Sequence, residues 1–78
     1  MQVQINGEAR ELSQDRILLS DLISDLALVP QRIAVEVNKT IVRRGDWDTT
    51  TLKDGDHVEI VHFVGGGSVV PELGASVS

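Results

Sequence analysis

Seventy-eight residues suffice for one small domain with a modest core and leave little material for the enclosed pocket of an enzyme. The chain has no cysteine, which excludes disulfides, a thiolate nucleophile and cysteine-based metal sites, so packing alone must hold the fold. Twelve acidic against seven basic side chains, a formal charge of −5, with Trp47 and Phe63 the only aromatics, argue against nucleic acid and anionic lipid as partners and for a protein partner with a basic face.

At the start of the chain Val3 and Ile5 alternate with Gln2 and Gln4, a strand pattern rather than the apolar run of a signal peptide. No stretch approaches the roughly 18 consecutive apolar residues of a membrane span. The expectation is a soluble, cytoplasmic protein. Asn6-Gly7 supplies two residues that tolerate positive φ, so Ala9 to Leu12 is expected to return as the second arm of a hairpin. From Ser20 the period changes: Leu19, Leu22, Ile23 and Leu26 recur at helical spacing, with Ser20 as the expected N-cap, Asp21 suited to the helix dipole, and Pro30 as the stop. About two turns long, this helix requires tertiary packing.

Ile33, Val35 and Val37 alternate with Ala34 and Glu36, which predicts a strand with one buried face, turned at Asn38-Lys39 into a short return through Ile41 and Val42. Arg43 to Thr51 lacks a period and reads as a loop or short helical turn, with Trp47 laid over the edge of the core. Lys53-Asp54-Gly55-Asp56 reads as a tight turn on a solvated face. Val58 and Ile60 then alternate with Glu59 and Val61 in a last strand running to Val64. The order strand, strand, helix, strand, short strand, loop, strand predicts an α+β fold of the β-grasp, or ubiquitin-like, class. It has a mixed sheet of four to five strands with one main helix packed on one face. Residues 1–64 form this domain. Residues 65–78, opening with Gly65-Gly66-Gly67 and rich in serine, are expected to be a flexible glycine arm and disordered tail.

Three glycines next to a final strand are either a linker or a reactive arm. A linker needs a second domain, and the residues after Gly67 are too few to supply one. As an arm, glycine has a chemical rationale: without Cβ the backbone threads a narrow groove, and the carbonyl is open to attack from either face. If Val58 and Ile60 point into the core, then His57, Glu59, Val61 and Phe63 lie on the opposite face. Val61, Phe63 and Val64 thus become candidates for a partner-docking patch beside the arm.

Taken in order, Val3-Gln4-Ile5-Asn6-Gly7-Glu8, Ile33 to Asn38 with Ile41-Val42, Arg44 to Trp47, and Leu52 to Val61 running into Phe63-Val64-Gly65-Gly66-Gly67 resemble the ThiS family of thiamine-biosynthesis sulfur carriers. The resemblance covers Met1 to Gly67. It implies a protein co-substrate rather than an enzyme. A ThiF-type, E1-like adenylyltransferase would use ATP to activate the carboxylate of a terminal Gly66 or Gly67. A sulfur donor such as a cysteine desulfurase relay would convert it to a thiocarboxylate, and thiazole synthase (ThiG) would take up the sulfur. No cofactor of its own is implied, and the sites carried over are Gly65, Gly66 and Gly67. Family members end at the glycine pair, whereas here Ser68 to Ser78 follow and make Gly67 an amide. The tail is removed by a processing protease, is an artefact, or marks an inactive copy; the expectation is removal.

No other constellation points to chemistry. His57 and His62 lie five apart on one strand and face opposite ways, so they cannot share a metal. Asp46, Asp48, Asp54 and Asp56 lack the spacing of a calcium loop, and Arg43 and Arg44 read as ordinary surface residues. Two alternatives remain open: a carrier like the small subunit of molybdopterin synthase, and a ubiquitin-like interaction module in which the glycines are only a hinge.

Overall fold

The computed structural model describes residues 1–64 and 68–71, with Val64 and residues 68–71 described by their backbone only. The elements are β1 (Gln2–Ile5), β2 (Glu8–Glu11), β3 (Arg16–Leu18), α1 (Leu19–Asp25), β4 (Ile33–Val37), β5 (Thr40–Val42), β6 (Thr51–Lys53), β7 (His57–Val64) and β8 (Ser68–Pro71). Short 3-10 turns cover Pro30–Arg32 and Arg44–Thr49. The main sheet runs β2-β1-β7-β4-β5, with β8 also paired to β7, while β3 and β6 form a separate two-stranded ribbon. Strand β7 is central: it runs parallel to β1 at Gln4↔His57 and Ile5↔Val58 and antiparallel to β4 from Val58 to His62.

The period-two pattern of the strands puts one set of side chains under the helix. Val3, Ile5, Ile33, Val35, Val58 and Ile60 from the sheet meet Leu19, Leu22 and Ile23 of α1 and Ile17, Leu52 and Trp47 from the other elements in one buried cluster. Each such apolar side chain contributes about 1.5–3 kcal/mol on burial. Trp47 is inside the core rather than at its edge, 4% exposed, and its indole N–H donates to the Val42 carbonyl at 2.9 Å. The 3-10 turn therefore places Trp47 in the core with the one polar atom of the indole satisfied.

Two asparagines complete the ladders of β7. Asn6 and Gly7 take φ of 51° and 85°, and Asn38 and Lys39 take 51° and 71°, the left-handed pairs that two-residue hairpins require. Asn6 then turns its side-chain amide onto β7: Oδ1 accepts from the Ile60 N–H at 2.7 Å and Nδ2 donates to the Ile60 carbonyl at 3.1 Å. On the other side Asn38 Oδ1 accepts from the His57 N–H at 2.9 Å while its own N–H donates to the His57 carbonyl at 2.7 Å. Asn6 thus extends β1 by one step with its side chain alone, whereas Asn38 closes the β4 ladder with its backbone N–H and its side-chain oxygen together.

Several sequence expectations need correction. Strands β3 and β6 were not foreseen: each is three residues long, too short to show a period, and they become strands only by pairing with each other at Ile17↔Leu52. Ser20 is not the N-cap, since α1 begins at Leu19 with Leu18 before it and without a side-chain cap. The entry is fixed instead by the Leu19 N–H donating to the Thr50 carbonyl at 2.8 Å. Pro30 does not stop the helix either. The chain leaves it at Leu26–Ala27, where Ala27 takes φ 58° and the Leu28 and Ala27 N–H groups return to the Ile23 and Ser24 carbonyls, a Schellman closure. Asp56 is buried rather than solvated, 8% exposed, and accepts from the Lys53 N–H and the Asn38 amide. Finally, Ser68–Pro71 of the expected disordered tail forms β8, antiparallel to β7 at Val64↔Ser68, Phe63↔Val69, His62↔Val70 and Val61↔Pro71. A four-residue stretch with two valines takes strand form once a long neighbouring strand offers a free edge.

Candidate functional site

The site is built around the C-terminal half of β7. Its rigidity follows from position: β7 is held on one side by β4 over five residue pairs and on the other by β1 and the Asn6 amide. Side chains alternate along it. Val58 and Ile60 are each 1% exposed under the helix, whereas His57, Glu59 and Phe63 are exposed and Val61 is half-buried on the opposite, open face. Phe63, 43% exposed, is a large apolar side chain presented to solvent at the end of the strand. Of the docking residues expected from sequence, Val61 and Phe63 thus share the open face, Val64 ends β7 with its side chain outside the described residues, and the arm Gly65-Gly66-Gly67 lies outside the described residues.

Register adds residues that sequence reasoning did not connect with this patch. Val61 lies opposite Ala34, Glu59 opposite Glu36, and Glu36 opposite Ile41 of β5. Ile41 is 71% exposed. The open face therefore carries an apolar strip of Ile41, Ala34, Val61 and Phe63 interrupted by two carboxylates directly across from each other. Like charges in that position do not favour pairing across a sheet, and they give this face an acidic flank. The alternation in Ile33–Val37 marks Ala34 and Glu36 as off-core, but their neighbours across the sheet are not visible in one dimension.

Beyond this face, chemistry of the chain's own is sparse. Among the described residues no group of three or more His, Asp or Glu side chains is placed to hold a metal ion. The two histidines sit on opposite faces of β7, His57 beside Asn38 and His62 opposite Ile33. What the geometry provides is a stiff strand that carries an apolar, acid-flanked face up to the point where the glycines begin.

The sequence model of the ThiS family matches residues 3–67, which is nearly the whole body and the glycine arm. The chain belongs to the ThiS family. Its ThiS-like body is 37% identical over 65 residues to the sulfur carrier protein ThiS of Bacillus subtilis, covering 83% of this chain and 98% of that protein. The crystal structure of the thiamine biosynthesis protein ThiS from Geobacter metallireducens superposes with a TM-score of 0.78 at 33% identity, over 86% of this chain and all of that one. The α+β, β-grasp fold and the family read from the sequence are thereby both borne out. A thiazole synthase of Magnetococcus marinus is 36% identical over all 78 residues, yet this chain spans only 24% of that protein. The similarity to that thiazole synthase thus includes the residues that follow the glycines.

Proposed function

We propose that this ThiS-family chain carries sulfur for thiamine-thiazole biosynthesis in the cytoplasm, as a protein co-substrate whose working form ends at Gly66 or Gly67. The observation that carries the reading is the family match running from Val3 to Gly67, so that it includes both the body and the three glycines. The match to a thiazole synthase along the full chain supports thiazole synthase as the acceptor.

In this reading residues 68–78 are removed by a processing protease, which converts the glycine amide into a carboxylate. A ThiF-type adenylyltransferase then joins that carboxylate to the α-phosphate of ATP and releases pyrophosphate. The terminal sulfur of a persulfide on the desulfurase relay attacks the acyl carbon and AMP leaves with the bonding electron pair. A thiol reductant then supplies two electrons to cleave the S–S bond of the resulting acyl disulfide, which frees the relay thiol and leaves the thiocarboxylate. The protein itself supplies no acid, base or nucleophile. It supplies an unhindered glycine carbonyl and, at Val61, Phe63 and Val64 with Glu36 and Glu59 beside them, a surface that orients the arm in the partner.

Forms ending at Gly66, at Gly67 and at Ser78 are incubated with ATP, a ThiF-type enzyme and a sulfur donor, and their masses are measured. The expected result is the gain of one sulfur-for-oxygen exchange on one of the two shortened forms and none on the full chain. If no shortened form reacts under conditions in which the Bacillus subtilis carrier does, the reading is overturned in favour of an interaction module.

A further inference from the structure

The direction of the main-chain groups along β7 shows what its outer edge accepts. In a strand, the N–H and C=O of one residue point to the same side, and those of the next residue to the other. The Val58 carbonyl accepts from Asn6 N–H, and both main-chain groups of Ile60 bond the Asn6 side chain, so even-numbered residues face β1. The His57 N–H and C=O bond Asn38, so odd-numbered residues face β4. β1 and Asn6 serve this outer edge only as far as Ile60. The next two even residues, His62 and Val64, turn their main-chain groups to the same side, and there β8 lies, with Val70 opposite His62 and Ser68 opposite Val64. Pro71, which has no N–H, stands opposite odd-numbered Val61, a place where the ladder needs no donor.

We infer that the outer edge of β7 at His62 and Val64 is a strand-docking surface for an extended segment of the protein that receives the arm, and that Ser68–Pro71 is an intramolecular stand-in for that segment. Two features identify the occupant as an extended polypeptide. The edge offers a register of main-chain donors and acceptors rather than a pocket, and a valine-containing strand is seated on it. The edge is also continuous with Val61 and Phe63 on the adjoining open face, so a partner strand added here would bring its neighbouring side chains onto that patch. While β8 is in place, Ser68 is held beside Val64, and the chain on both sides of the glycines is tied to one sheet. An arm projecting forward from Val64 requires β8 to leave. The tail is therefore a competitor for partner docking, displaced by strand exchange or lost with its removal. This inference rests on the carrier reading for the identity of the partner, but not for the pairing itself.

The test is Val70→Pro in the full chain, which deletes the N–H facing His62 without altering any residue of β7, compared with Val70→Ala, which keeps it. Amide hydrogen exchange should accelerate about tenfold or more at His62 and Val64 in V70P, the response of a strand that opens, while the Val58 and Ile60 amides and V70A keep the wild-type rates. Binding of thiazole synthase should tighten at least about fivefold in V70P relative to V70A, and further in the chain ended at Gly67, as an intramolecular competitor is removed. Unchanged exchange at His62 and Val64 overturns the stand-in strand. Faster exchange with unchanged affinity overturns the edge as a partner surface. If no form binds thiazole synthase, the chain ended at Gly67 included, the carrier reading and this docking role fall together, while the exchange result still decides the pairing of the tail.

Discussion

Asn6 offers the most direct test of how the body holds β7 in position. Its side-chain amide bonds both main-chain groups of Ile60, a residue 1% exposed, at 2.7 and 3.1 Å. Its backbone sits at φ 51°, where glycine is at ease and alanine is strained. Asn6→Gly therefore removes the two bonds and leaves the turn unstrained. Each orphaned buried group costs about 1–3 kcal/mol. Asn6 and Ile60 line one surface cleft, which water can enter once the amide is removed, so the expected loss is near the low end for both, about 2–3 kcal/mol in total. For a domain of this size that lowers Tm by roughly 10–20 °C. Asn6→Ala should lose about 1 kcal/mol more, from the left-handed backbone alone. Urea unfolding followed by the fluorescence of Trp47, the only tryptophan, measures both, with the denaturant slope expected to stay constant. An Asn6→Gly loss below about 0.5 kcal/mol would refute the claim that this amide stands in for a strand.

Phe63→Asp should lower stability by no more than about 1 kcal/mol, since the ring is 43% exposed and strand propensities span only that range. The same change should weaken thiazole synthase binding by at least about tenfold in a titration, as loss of an aromatic anchor does; a large fall in Tm with intact binding would make Phe63 a packing residue instead. Asp56→Ala should cost about 1–2 kcal/mol in the same urea assay, because the carboxylate bonds the Lys53 N–H and the Asn38 amide in a part-buried turn and water replaces it there only incompletely. Ala27→Gly should stabilise the chain by about 0.5–1 kcal/mol by relieving the φ of 58° at the helix exit, and a loss of stability would show that the Ala27 methyl contributes more by packing than the strain costs.

Much of this architecture is written locally. The Asn6-Gly7 and Asn38-Lys39 turns, the alternation in Ile33–Val37 and in Val58–Ile60, and the helical spacing of Leu19, Leu22 and Ile23 each depend on residues within one turn or one strand, so a linear reading recovers them. The family resemblance was legible for the same reason: its pieces are contiguous and occur in order up to Gly67. The ends of elements were harder. Ser20 and Pro30 had the right chemistry for a start and a stop, but the helix is entered through a bond to Thr50 and left through a Schellman closure at Ala27. Distant contacts and backbone geometry set those limits.

The candidate site divides along the same line. By itself the sequence determined that a core-facing strand leads into three glycines and that Val61 and Phe63 share the face away from that core, because a period of two is a property of the backbone. Only the tertiary structure decided which residues stand beside them: Ala34, Glu36 and Ile41 from strands more than fifteen residues upstream, and Ser68–Pro71 from the tail. Register and edge occupancy arise from hydrogen bonds between segments distant in sequence. No local pattern shows that Asn6 satisfies Ile60 and that β7 offers its next two even-numbered residues, His62 and Val64, to another strand.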